Sequence, residues 1–278
     1  MSYYFVGGSQ RSGTTLLQTI LCQDEAVNPL VPEAKYLRHL VAAYRFGKQT
    51  FGAETRAYFR DLQGYVLFNR NVVSLMLEQT RALYAGATHL CLREPHLTQY
   101  FPELYELLPD ARFVCIVRDP RDVIASMVEV GARLARDGMA ADAMARLFTS
   151  RRMSDLSAHY LSFYAPIVRY NVEGFRARCP FIRYEDLVER PAEYLGRLRE
   201  LTGLALADYD PARAPDTGEV DYRQSGQYQR AWNSALYTSK VEDSRIGRYR
   251  EVLTAEEVAE VDRACAEFMR RFGYAPGA

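Results

Sequence analysis

Residues 7–17, Gly-Gly-Ser-Gln-Arg-Ser-Gly-Thr-Thr-Leu-Leu, follow the apolar run Tyr3-Tyr4-Phe5-Val6 and lead into apolar positions at helical spacing. This strand–loop–helix junction constrains the chain more than any other segment. Gly8 and Gly13 keep the glycine spacing of the phosphate-cradling pattern G-x-x-x-x-G-K-[ST], and Thr15 fills its hydroxyl position. Thr14 stands where a nucleoside triphosphatase needs its lysine. The glycines let the backbone approach an anion, and the amides of about Gly13 to Thr15 point at it from the helix start. A threonine brings no positive charge to a γ-phosphate, so the loop suits a phosphate-bearing donor other than ATP. Arg11 brings its charge to a different place in the loop, and a guanidinium fork matches phosphate and sulfate oxygens.

Beyond this junction, strand-like and helix-like segments alternate. Residues 35–85 read as mostly helical, broken near Gly47 and Gly52. His89 to Leu92 is a second apolar run ending in Arg93-Glu94-Pro95, and a helix follows from about Thr98 to Leu107. Arg112 to Val117 is a third strand, continuous enough to be buried on both faces. Asp119 and Pro120 then start a helix as N-cap and first-turn residue. Residues 142–178 have helical spacing that Pro166 must bend or break. Phe181 to Tyr184 forms a fourth strand, Pro191 to Thr202 a helix closed by Gly203, and a last helix spans about Thr254 to Phe272. This alternation indicates an α/β fold with a central parallel sheet and right-handed crossovers. With no repeat or linker, residues 1–278 read as a single domain.

Composition narrows the function. The 278 residues carry 35 basic and 35 acidic side chains, so bulk charge makes no case for nucleic acid as a partner. Five cysteines without paired spacing read as reduced thiols, hence a cytoplasmic setting. A strand starting three residues in leaves no room for a signal peptide, and no apolar run is long enough for a membrane span. No carboxylate or His/Cys spacing suggests a metal site.

Ligands of parallel sheets sit at the carboxyl ends of the strands. There the sequence places Gly8 to Thr15, then Arg93, Arg118 and Tyr184. The third strand runs Phe113-Val114-Cys115-Ile116-Val117-Arg118, with Ser126 eight positions after the arginine. Plainer roles exist for each: a capped helix start, an Arg93–Glu94 or Arg118–Asp119 ion pair, a mid-helix serine at Ser126, a core tyrosine at Tyr184.

Together, the Arg-Ser-Gly-Thr-Thr loop and the Arg118…Ser126 spacing resemble the sulfotransferases that use 3′-phosphoadenosine 5′-phosphosulfate (PAPS). The resemblance implies a P-loop-like three-layer fold, a sheet flanked by helices, and sulfuryl transfer to a hydroxyl acceptor by in-line displacement. It implies that Arg11, Ser12, Gly13, Thr14 and Thr15 hold the 5′-phosphosulfate, and Arg118 and Ser126 the 3′-phosphate. Tyr184 resembles the family tyrosine near the adenine. Arg248 resembles the late basic residue that closes over the nucleotide, with Ser239 upstream as a second candidate. Arg93-Glu94-Pro95 looks like the Lys-Asp-Pro of tyrosylprotein-type enzymes, so Arg93 would stabilise the bridging oxygen as a fixed charge; arginine does not deprotonate and makes a poor proton donor. Arg11 would meet charge on the equatorial oxygens. Glu33, in Val31-Pro32-Glu33-Ala34, falls roughly where those enzymes place a catalytic glutamate. Its plain alternative is a first-turn acid facing the helix dipole. His96 is the rival base, or a residue that gates or binds substrate.

The acceptor stays open among a small molecule, a glycan and a tyrosyl hydroxyl. It would bind in the helical regions 35–85 and 127–175. Two other classes compete with the transferase: a small-molecule or nucleotide kinase with a degenerate loop, and a non-catalytic nucleotide-binding protein on the same fold.

Overall fold

The computed structural model describes residues 2–84, 86–139, 143–206, 210, 216–217 and 245–277. Four parallel strands, β1 (Tyr3–Gly7), β2 (Leu90–Arg93), β3 (Arg112–Val117) and β4 (Phe181–Arg183), form a sheet in the order β2-β1-β3-β4. Side chains on a strand alternate between its two faces, and both faces here are apolar. Tyr4, Val6, Cys91, Val114, Ile116 and Ile182 pack on one side with Leu16, Leu17 and Ile20 of α1 (Thr14–Leu21) and Leu198 of α10 (Pro191–Thr202). Phe5, Leu92, Phe113, Cys115 and Val117 pack on the other. That second layer contains α2 (Lys35–Gln49), α3 (Leu62–Ala82), α4 (Phe101–Leu107), α5 (Pro120–Arg136), α6 (Ala143–Ser150), α7 (Met153–Arg169) and α8 (Glu173–Arg178). At its centre, Phe113 meets Phe5, Phe101 and Phe175 at ring-centroid distances of 5.6, 4.8 and 5.6 Å. Each such buried side chain contributes about 1.5–3 kcal/mol.

The three-layer α/β architecture matches the sequence, and Asp119 caps α5 by accepting the Arg121 N–H at 2.9 Å. Several boundaries differ. Gly47 does not break a helix: it lies inside α2 because the Tyr65 ring of α3 packs where a Cβ would stand. The interruption comes later, between Gln49 and Leu62. Residues 95–100 are a 3-10 turn, so the helix expected from Thr98 begins at Phe101. Pro166 stays within α7. The stretch expected over 142–178 divides instead at Arg151, whose φ of 52° leaves the helical region, and at Tyr170 to Val172. The Arg151 side chain is anchored to Glu257 at 2.6 Å and to the Val252 carbonyl at 2.9 Å. Tyr184 is not the end of a strand but the first residue of α9 (Tyr184–Glu189). The final helix divides at Cys265, and the chain's last described helices are α11 (Tyr249–Val252), α12 (Ala255–Ala264) and α13 (Ala266–Phe272). Among the described residues, no helix is long and apolar enough to cross a membrane.

From β1 the chain steps to one side to form β2, then returns past β1 to form β3 and β4. The strand order therefore reverses between β1 and β3, and a crevice opens there at their carboxyl ends. The parallel register sets Val6 opposite Arg93 and Gly7 opposite Cys115, bringing the loops after β1, β2 and β3 to one edge.

Candidate active site

The loop between β1 and α1 turns on residues held in unusual backbone conformations. Arg11 has a φ of 69° and Gly13 a φ of 96°. Gly13 is the N-cap of α1 and has no side chain to cap it, which leaves the first-turn amides facing the crevice. A Cβ on Gly13 would lie 2.5 Å from Tyr184 Cδ2, so the tyrosine ring sits directly on the loop. Thr14 and Thr15 are buried behind it.

The second motif meets this loop. Arg11 Nε donates to Ser126 Oγ at 3.1 Å, and Arg118 Nη1 approaches the Arg11 carbonyl at 3.4 Å. Arg118 is only 6% exposed, with its guanidinium carbon 4.4 Å from the centre of the Tyr184 ring. Its Nε is buried and has no hydrogen-bond partner among the described residues. Asp122 lies 3.7 Å from Arg118 Nη2, and burial raises its carboxyl pKa against that arginine's opposing pull. Asp122 also accepts the amides of Gly247 at 2.8 Å and Tyr249 at 3.0 Å, while Arg118 Nη2 donates to the Arg245 carbonyl at 2.5 Å. The segment entering α11 is thus clipped to the second motif through Arg245 and Gly247. Arg248 turns elsewhere, pairing with Glu129 at 2.8 Å and Glu251 at 3.2 Å. Ser239 lies outside the described residues.

At the end of β2, Arg93 is 2% exposed and donates from Nε to Gln18 Oε1 at 3.0 Å and from Nη1 to Glu33 Oε1 at 3.1 Å. Gln18 comes from α1, and the segment carrying Glu33 is tied to the strand by the Ala34 amide on the Arg93 carbonyl at 2.9 Å. Asn28 fixes the same strand by accepting the Cys91 amide at 2.6 Å. Glu33 remains a third exposed, and Lys35 lies 3.9 Å from its second oxygen. Glu94 is buried and faces the opposite way: it accepts the Leu97 amide at 2.5 Å and lies 3.3 Å from His96 Nδ1 and 3.7 Å from Arg38.

His96 packs against α7, with its ring 5.2 Å from Phe163 and 6.2 Å from His159. His159 Nε2 lies 3.3 Å from Gln10 Oε1 of the first loop. Burial, and then the neighbouring His96, push the His159 pKa down to about 4. The structure therefore gathers Arg11 to Thr15, Arg118, Ser126 and Tyr184 into one cluster and Glu33 with Arg93 into a second at the adjoining strand end. Sequence reasoning missed Gln18, Asn28, Arg245 and the contribution of α7. Gln18, Asn28 and Arg245 carry no motif.

A parallel sheet with a phosphate-type loop at its reversal point and a second arginine–serine motif beside it defines a class, and the sequence comparison agrees. The sulfotransferase family model matches residues 4–208, and the chain belongs to that family. It is 24% identical over 285 aligned residues to the nodulation protein NoeE of Sinorhizobium fredii, covering 97% of this chain and 65% of that protein. It is 23% identical over 208 residues to protein-tyrosine sulfotransferase 2 of Gallus gallus, covering 75% of this chain and 53% of the relative. The chain thus spans less than two thirds of the length of these relatives. Among solved structures, the sulfotransferase domain from the curacin biosynthetic pathway superposes with a TM-score of 0.57 at 17% identity over 99% of both chains. The sulfotransferase from Alicyclobacillus acidocaldarius gives 0.53 at 17% identity, over 99% of this chain and 97% of its own. Likeness at these identities establishes the fold.

Proposed function

We propose that this chain transfers a sulfuryl group from PAPS to a hydroxyl acceptor. The observation that carries the reading is the contact between the two anion motifs, Arg11 Nε on Ser126 Oγ at 3.1 Å, at the reversal point of the sheet. Two features fit a donor with a phosphate at each end. The α1 amides have no side-chain cap, and the buried Nε of Arg118 has no partner among the described residues.

In this reading the amides of Gly13 to Thr15 hold the 5′ end of the donor, while Arg118 and Ser126 hold the 3′-phosphate. Tyr184, stacked on Arg118, offers its ring to the adenine. The donor supplies an activated sulfur and a bisphosphate leaving group. Arg11 faces the oxygens of the transferred group, and Arg93 presents a fixed positive charge toward the departing oxygen, preorganised by Gln18 and Glu33. Glu33, with a third of its side chain accessible, takes the proton of the acceptor hydroxyl. Arg245 and Gly247 hold Arg118 and Asp122 in place, while Arg248, expected to close over the nucleotide, is turned toward Glu129 and Glu251. The acceptor is a small-molecule, glycan or tyrosyl hydroxyl; the tyrosine acceptor is supported by the name of the Gallus gallus relative.

Adenosine 3′,5′-bisphosphate should raise the melting temperature far more than AMP or ATP, because only it engages both motifs. Arg118→Ala should erase that preference. Equal stabilisation of the unmodified protein by AMP would overturn the assignment.

A further inference from the structure

Two tyrosines one turn apart on α7, Tyr160 and Tyr164, are fully buried, and their hydroxyls have no role in the transfer chemistry above. Both end against the anion motifs. The Tyr164 hydroxyl accepts the Ser9 amide at 3.0 Å, lies 3.1 Å from Ser12 Oγ, and donates to the Ile116 carbonyl at 3.1 Å. A phenol has one proton. Since the Ile116 carbonyl only accepts, that proton goes to it, and Ser12 must then be the donor toward Tyr164. The Ser12 amide donates to the Ser9 carbonyl at 3.2 Å, so both hydrogen-bond donors of Ser12 are engaged within the loop and with α7. One turn earlier, the Tyr160 hydroxyl donates to the Arg118 carbonyl at 2.7 Å.

Ser9 and Ser12 bracket the left-handed Arg11 in the loop after β1, while Ile116 lies near the end of β3 and Arg118 directly follows it. One rigid helix thus grips both motifs through two hydroxyl groups. We propose that Tyr160 and Tyr164 are positioning residues that fix the separation of the two anion loops. On this account α7 sets the preference for a nucleotide phosphorylated at both its 3′ and 5′ positions. The inference rests on the donor reading above and adds to it the element that measures the distance between the two phosphates. Ordinary core packing would need only the rings. Phenylalanine fills the same volume without the hydroxyl, so it separates the two roles.

The test is a calorimetric comparison of adenosine 3′,5′-bisphosphate and AMP binding in the wild type, Tyr160→Phe, Tyr164→Phe and a control, Tyr65→Phe. The control also loses a buried hydroxyl, one that donates to the Tyr44 carbonyl at 3.0 Å between α2 and α3. The ratio of the AMP to the bisphosphate dissociation constant should fall roughly three- to tenfold in Tyr160→Phe or Tyr164→Phe, as expected for one lost buried hydrogen bond. It should not change in Tyr65→Phe, whatever happens to the melting temperature. An unchanged ratio in both α7 variants, with the wild type still preferring the bisphosphate, would overturn the inference alone. No preference in the wild type would overturn the donor reading with it. Should Tyr164→Phe fail to fold, Tyr160→Phe decides the question by the same ratio.

Discussion

Arg93 and Glu33 share a 3.1 Å bond between Nη1 and Oε1, with the arginine buried and the carboxylate one third exposed. The sequence placed these residues in separate catalytic roles and offered Glu94 as the plain ion-pair partner of Arg93. In the fold Glu94 is held by Leu97 and His96, and Arg93 is held between Gln18 and Glu33. The proposed base and the proposed fixed charge therefore belong to one unit, and each is tested through the other.

Glu33→Gln keeps the shape and an oxygen for Arg93 while removing the base. Turnover should fall about a hundredfold or more, with the affinity for the bisphosphate nearly unchanged. Stability should fall by about 1 kcal/mol, because the pair is partly exposed and its charge interaction is screened. Turnover near normal with only the melting temperature lowered would reduce Glu33 to a structural partner and move the base to His96 or to the acceptor.

Arg93→Lys retains the charge but not the fork that reaches Gln18 and Glu33 together. Its turnover should stay within about tenfold of the wild type, whereas Arg93→Ala should lose roughly 2–4 kcal/mol of transition-state stabilisation. Steady-state kinetics of the two variants, beside their bisphosphate affinities, separate charge from geometry. Normal turnover in Arg93→Ala would leave this residue outside the mechanism.

Gly13→Ala tests the loop. The backbone there is left-handed at a φ of 96°, and the new methyl carbon would meet Tyr184 at 2.5 Å. The strain should cost roughly 1–3 kcal/mol and weaken nucleotide binding with it. A binding titration showing full affinity for the bisphosphate would mean that the loop does not need this conformation.

The pH dependence should carry the mark of His159. Its pKa stands at about 4 in the fold and at an ordinary 6.5 in the unfolded chain, so the unfolded state gains a proton first as the solution acidifies. The stabilisation is complete above the unfolded value and is lost as pH falls from there toward the folded value. His96, Phe148, Phe163 and Gln10 face the ring. Between about pH 7 and pH 5 the wild type should lose about 1–2 kcal/mol more than His159→Phe. Parallel stability curves, from denaturant titrations across that range, would show that His159 protonates freely in the fold.

The parts of the molecule that sequence made legible are those whose cause is local. β3 is a continuous apolar run, and the Gly8 to Thr15 loop and the Arg118…Ser126 spacing each lie within one short stretch of the chain. The parts it hid depend on partners far along the chain. Tyr164 meets Ser9 across 155 residues and Tyr160 meets Arg118 across 42, so no local pattern marks either tyrosine. Gly47 looked like a helix breaker because the Tyr65 ring that needs its missing side chain lies on another helix. The bond from Arg118 to the Arg245 carbonyl and the pairing of Arg248 with Glu129 are likewise set by tertiary packing.

The central claim is the transfer itself. Incubated with PAPS and a panel of phenol, glycan and tyrosyl-peptide acceptors, the protein should release adenosine 3′,5′-bisphosphate in step with an acceptor that gains one sulfuryl group. Mass spectrometry of both products reads the two together, and Arg118→Ala should depress them equally. Phosphorylation of an acceptor from magnesium ATP, or tight bisphosphate binding with no transfer to any hydroxyl in the panel, would contradict the account.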